Sequence, residues 1–158
     1  MTAIRFPLAL LPMALAASLA AAGPDLESLD RVHVLMPRAR VLELLGPPHE
    51  QGTLKGGLQA EVYRFPEEEP LVGIACVYSP EGLLTSQALH FRGDLVVPCR
   101  THLIACGFLV LEERSGAVRL QGRDDDTGRP LVATIAHEAG ITTVMTFEKD
   151  FYDRTILP

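Results

Sequence analysis

Tryptophan is absent from this 158-residue chain, aromatic residues make up only 6% of it, and there are three cysteines. So few cysteines exclude a small fold held together by several bridges. Basic residues are outnumbered, 14 Lys and Arg against 20 Asp and Glu, for a formal net charge of −6. Without a basic excess there is no stripe to neutralise phosphates, and no nucleic-acid partner is expected. The chain also lacks a phosphate-cradling Gly-rich loop, a Gly-x-Ser-x-Gly elbow and a Cys-x-x-Cys pair. What is present, 47% hydrophobic and 22% charged, describes a globular chain of one domain, or of two small ones sharing a core.

Part of that hydrophobicity is expected to lie outside the fold. Residues 1–22 read as an export signal. Arg5 is its positive end, Pro7 to Ala22 is apolar apart from Ser18, and Ala20-x-Ala22 suits a signal peptidase. The run is shorter than the roughly 20 residues that span a bilayer. No Cys follows it as a lipid attachment point. A periplasmic or secreted location is expected, with membrane contact only indirect once the signal is cleaved. An oxidising compartment permits one bridge among Cys76, Cys99 and Cys106 and leaves one thiol over. Cys99 and Cys106 on one helix would stand about 10 Å apart along its axis, too far for a bridge. A Cys99 lying before the helix can still reach Cys76. Three buried, unbridged cysteines is the other reading.

The remainder divides into two similar halves, 23–95 and 96–158. In the first, Leu26, Leu29 and Val32 suit a short helix over Asp25 to Val34. A second helix follows Pro37, with Val41, Leu44 and Leu45 on one face; Gly46 and Pro47-Pro48 end it. Gly52 to Gly57 reads as a loop. Strands are predicted over Gln59–Phe65, Leu71–Tyr78 and Leu83–Phe91, with Ser79-Pro80-Glu81-Gly82 as a turn. In the second half a helix is predicted over Arg100–Cys106, with Leu103 and Ile104 facing inward. Strands follow at Phe108–Glu112, Val118–Arg123, Leu131–Ile135 and Ile141–Phe147, separated by turn residues. The fold class this implies is α+β: two tandem helix-plus-antiparallel-sheet halves, with the helices on one face of the sheet.

Met36-Pro37-Arg38-Ala39-Arg40-Val41-Leu42-Glu43-Leu44-Leu45-Gly46-Pro47-Pro48 resembles the signature of the SmpA/OmlA (BamE-like) domain: a Met, a short helix, then Leu-Gly-x-Pro. Glu61–Phe65 and Val77–Leu83 continue the resemblance, which covers about residues 29–93. Leu35 stands where the family usually has Gly, and Pro37 where it usually has Ser or Thr. Residues 98–148 more weakly resemble a PepSY domain, through Gly107-Phe108-Leu109-Val110-Leu111 and the turns at Asp126-Thr127-Gly128 and Glu138-Ala139-Gly140. The resemblances imply a plan like that of small β-lactamase-inhibitor proteins, and a role in binding other proteins.

Residues for chemistry are sparse. His33, His49, His90, His102 and His137 include no pair at i, i+4, so neither a metal nor another cofactor is expected. His102 and Cys106 are at i, i+4 and can form a thiolate–imidazole pair, which makes a thiol enzyme the remote alternative. Asp124-Asp125-Asp126-Thr127-Gly128 does not keep the frame of a calcium loop and reads as a hairpin turn. Mixed aromatic and charged residues near the C-terminus, Phe147, Phe151, Tyr152 and Arg154, are candidate contacts with a partner. So are Lys55, in the Gly52–Gly57 loop, and Tyr63, the aromatic of the first family-like strand. The expected function is non-enzymatic: an exported protein-binding module of the bacterial cell envelope, for example an outer-membrane assembly or envelope-integrity factor, with another envelope or secreted protein as its partner. An inhibitor or regulator of a secreted peptidase or other hydrolase is the alternative.

Overall fold

The computed structural model describes residues 26–156, so the expected export segment lies outside the described residues. The first helix, α1 (Ser28–Arg31), is a single turn with Leu29 buried. Helix was predicted as far as Val34. Instead the backbone becomes extended at Val32 (φ −121°, ψ 126°), and Val32, Val34 and Met36 are all buried. That spacing of two belongs to a strand-like segment. The segment leans on residue 84: Leu35 N–H donates to the Leu84 carbonyl (2.7 Å), and Leu84 N–H to that of Met36 (2.9 Å). Helix α2 (Arg38–Leu45) then inserts Val41 fully into the core. It ends where Gly46, at φ 76°, donates its N–H to Leu42, just before the two prolines.

Eight strands follow: β1 (Glu50–Thr53), β2 (Gln59–Arg64), β3 (Leu71–Tyr78), β4 (Leu84–Arg92), β5 (Leu109–Arg114), β6 (Ala117–Arg123), β7 (Pro130–Glu138) and β8 (Ile141–Glu148). Helix α3 (Val96–Ala105) separates β4 from β5, and α4 (Lys149–Thr155) follows β8. β1 was not expected. All four of its residues are exposed, so it carries no alternation to read, and it is ordered by its antiparallel pairing with β2. The loop reading survives only in the short 3-10 turn Lys55–Gly57 beyond it.

The two-halves plan with helices on one face is not what forms. There is a single eight-stranded antiparallel sheet in the order β1-β2-β3-β4-β8-β7-β6-β5. β4 and β8 pair without a break from Ser86↔Phe147 to Arg92↔Ile141, which leaves no sheet edge near residue 95. The reason lies in the two strands. β8 is rich in β-branched residues (Ile141, Thr142, Thr143, Val144, Thr146), and Leu89 of β4 and Val144 of β8, directly paired, are both buried in one core. That core, on one face of the sheet, holds Leu29, Val41, Cys99 and Leu103 from the first three helices. α4 packs on the opposite face, where Tyr152 joins Val132 and Phe147 in a separate cluster. Glu148, 3% exposed, starts α4 by accepting the Phe151 N–H at 3.0 Å and holds Arg129 at 2.9 Å.

α3 starts four residues earlier than predicted, and Ile104, expected inside, is 44% exposed. Its entry is fixed by Thr142 on β8. The buried hydroxyl donates to the Gly93 carbonyl (2.7 Å) and accepts the Leu95 N–H (2.8 Å). Cys76, Cys99 and Cys106 are all free thiols, with Cys99 inside α3 and not ahead of it. No helix among the described residues is long and apolar enough to cross a membrane.

Candidate functional site

Side chains alternate across a sheet, so the pairing register states which residues share a face. One row on the face away from the main core runs Val62, Ala75, Ala88, Met145, Thr134, Arg119 across β2, β3, β4, β8, β7 and β6. The next row includes His90, Thr143 and Ala136. Apart from Met145, His90 and Arg119 these are small side chains, mostly half-buried, and among the described residues α4 is the only helix on this face. The result is a shallow trough, beside α4 at one end. One hollow in it, of about 380 Å³, is lined by Thr134, Ala136, Ile141, Thr143 and Met145. Its surface is mainly apolar, and Glu138 is the one charged residue that lines it. His90 Nδ1 lies 3.0 Å from Thr143 Oγ1, and burial lowers the imidazole's pKa.

The candidate contact residues are distributed unevenly. Phe147, Phe151, Tyr152 and Arg154 come together at α4. The Phe147 and Tyr152 rings stand 5.2 Å apart at 58° and are buried, Phe151 is half-buried against them, and Arg154 is exposed with Nε donating to the Asp150 carbonyl at 3.0 Å. Phe147 and Tyr152 therefore hold α4 on the sheet, while Phe151 and Arg154 remain at the surface. Lys55 and Tyr63 sit three strands away. Lys55 is exposed in its turn, but Tyr63 is 2% exposed on the core face. Its hydroxyl donates to Glu61 at 2.9 Å, and burial pushes its pKa well up.

Sequence reasoning missed the small-residue row. Its signal was present: Ala60, Ala75, Ala88 and Ala136 fall at the non-core positions of four strands. It also missed the buried charge of Glu61, held by Arg38.

The His102–Cys106 pair does form, with Nε2 and Sγ 3.7 Å apart. The sequence offered no third group, and the structure supplies one: Asp30 from α1, with Oδ1 3.0 Å from the same Nε2 and 3.9 Å from Sγ. Burial, then the nearby carboxylates of Asp30 and Asp125, raise the Cys106 pKa, the direction opposite to the one that activates a thiol. Asp124 is turned into its own loop, where it accepts the Thr127 N–H at 2.9 Å and hydroxyl at 2.7 Å, as a hairpin turn requires.

No protein-family model, curated protein or solved structure matches this chain. The resemblances to the SmpA/OmlA and PepSY domains rest on the residues quoted for them.

Proposed function

We propose that this chain is an exported, non-enzymatic protein-binding module of the bacterial cell envelope, periplasmic or secreted, and that it docks another envelope or secreted protein on the open face of its sheet. The observation that carries the reading is the row Val62, Ala75, Ala88, Met145, Thr134. A wide sheet face floored by small residues and left half-exposed suits the large apolar and aromatic anchors that dominate protein interfaces. Phe151 and Arg154, at the exposed edge of α4, supply side chains of the types enriched at such interfaces. The export reading of residues 1–22 supports the compartment.

The test is site-specific photocrosslinking in whole cells. A crosslinker at Val77 or Thr143, both on the open face, is expected to capture one envelope protein; one at Arg40, exposed on the helical side, is not. Thr134→Arg, which places a charge in the trough, should abolish the capture while the chain stays folded. Equal capture from both faces, or none from Val77 and Thr143, would remove the sheet face as the docking surface. Capture of a single exported hydrolase that the chain inhibits would move the role from assembly factor to inhibitor.

A further inference from the structure

Three side chains with metal-ligand atoms converge where α1 meets the C-terminal end of α3. His102 and Cys106 share a helical face because they are four residues apart. Asp30 is brought to them from 72 residues away in sequence. The ligand atoms Nε2, Sγ and a carboxylate oxygen all lie within 4.8 Å of one another. Their separations, 3.0 Å (N to O), 3.7 Å (N to S) and 3.9 Å (S to O), form a closed triangle.

We propose that Asp30, His102 and Cys106 bind a divalent transition-metal ion of the zinc class at this junction, leaving one coordination position open to solvent.

The triangle decides between two chemistries. A nucleophile–base–orienter relay uses both imidazole nitrogens, one for the thiol and the other for the carboxylate. Here Asp30 and Cys106 both address Nε2, so the carboxylate cannot orient the ring from behind. One shared point among three donors is the arrangement of a chelate. In a tetrahedral zinc site with bonds of about 2.0 to 2.3 Å, the ligand atoms stand roughly 3.3 to 3.7 Å apart. The observed edges bracket that range and need shifts of only a few tenths of an ångström. The donor set selects the metal: calcium and magnesium favour oxygen shells, whereas one thiolate, one imidazole and one carboxylate suit a borderline ion such as Zn²⁺.

The surroundings favour a cation as well. Asp30 and Cys106 are exposed, giving an entry path. They line a cleft of about 460 Å³ that also contains Asp124, Asp125 and Asp126 against a single arginine, Arg123. Carboxylates gathered around the cleft would attract a cation. On binding, the thiol proton leaves to solvent and a metal–sulfur bond takes its place, while the imidazole proton facing Asp30 leaves Nε2 and Nδ1 takes one up by exchange with solvent, so that a metal–nitrogen bond replaces the contact between Nε2 and the carboxylate. The fourth position faces the cleft and takes water or a donor atom from another molecule.

Cobalt(II) replaces zinc in such sites and reports on them. The purified full chain, reduced and stripped of metal, is titrated with Co²⁺ and then with Zn²⁺. One equivalent of Co²⁺ is expected to give the visible bands of a tetrahedral site and a thiolate-to-cobalt charge-transfer band, both bleached by one equivalent of Zn²⁺. Cys106→Ser should remove the charge-transfer band. Asp30→Asn and His102→Ala should each weaken binding by at least the roughly 10- to 100-fold that losing even an outer-shell partner costs. His49→Ala, at an exposed histidine elsewhere, should change nothing. Asp30 and Cys106 are surface residues, so unchanged circular dichroism in those two variants shows that the fold is intact. The proposal is overturned if no charge-transfer band appears, if the band survives Cys106→Ser, or if it depends on Cys106 alone and ignores Asp30 and His102.

Discussion

Arg38, at the start of α2, holds Glu61 of β2 by two nitrogens on one carboxylate oxygen, Nε at 2.7 Å and an outer guanidinium nitrogen at 2.5 Å. The Glu61 side chain is 2% exposed and Arg38 36%. The pair thus joins the helix to the sheet with one charge inside and the other at the boundary. The Tyr63 hydroxyl satisfies the second Glu61 oxygen. Arg38→Met strands the carboxylate. Breaking a fully buried pair costs roughly 3–5 kcal/mol, and the partial exposure of Arg38 reduces this to about 2 kcal/mol. Urea unfolding measures it. The double variant Arg38→Met/Glu61→Leu should recover most of the loss, because no charge is then left unpaired.

The Phe108 ring covers the bare Cα of Gly122 in β6. A Cβ there would stand 2.8 Å from the ring carbons Cγ and Cδ1. Gly122 is the last residue but one of β6, inside the strand, where Ala would otherwise be favoured over Gly. Gly122→Ala is nonetheless expected to destabilise the chain by about 1–3 kcal/mol, the range for overpacking a filled core. Gly122→Ala combined with Phe108→Leu should lose less than the sum of the two single variants in thermal unfolding.

Thiol labelling should distinguish the three cysteines. Burial pushes Cys76 up to about 12 and Cys99 up to about 11, and both side chains are inaccessible. Native protein at mild alkaline pH should take up one alkylating group, at Cys106, and three in denaturant. Because the Cys106 pKa is also raised, its rate should be slower than that of free cysteine. Two or more rapid modifications in the native state would contradict the burial of Cys76 and Cys99.

His90 gives the open face a pH dependence. Its pKa is lowered by burial, so between its folded value and an unfolded value near 6.5 the unfolded chain binds the extra proton. The stability from keeping His90 neutral is present above about pH 6.5 and is lost as pH falls through that window. The urea midpoint of the wild type should therefore drop more than that of His90→Gln between pH 7 and pH 5. Equal slopes would show that His90 titrates as it does in the unfolded chain.

The regular elements were legible because they depend on neighbours in sequence. α2 could be read from Val41, Leu44 and Leu45 followed by Gly46-Pro47-Pro48, and β7 and β8 from period-two alternation around the Glu138-Ala139-Gly140 turn. β1 could not be read, since Glu50–Thr53 has no buried side chain and exists through its partner strand. The positions of elements relative to one another were equally hidden. The strands that hold Leu89 and Val144 were both predicted, but not that these residues pair with each other and fuse everything into one sheet. The sequence marks Phe147, Phe151 and Tyr152 as a mixed tail, but not that α4 folds onto the face opposite the other helices.

The sequence by itself determined the scarcity of cysteine and basic charge, the helix stops and the hairpin turns, because these follow from composition and from local backbone preference. Tertiary structure alone decided that β4 meets β8, that Ala75 and Ala88 fall in one row with Met145 and Thr134, and that Asp30 reaches His102 and Cys106. Each of these joins residues dozens of positions apart, and local chemistry holds no record of which distant partner wins the competition for burial.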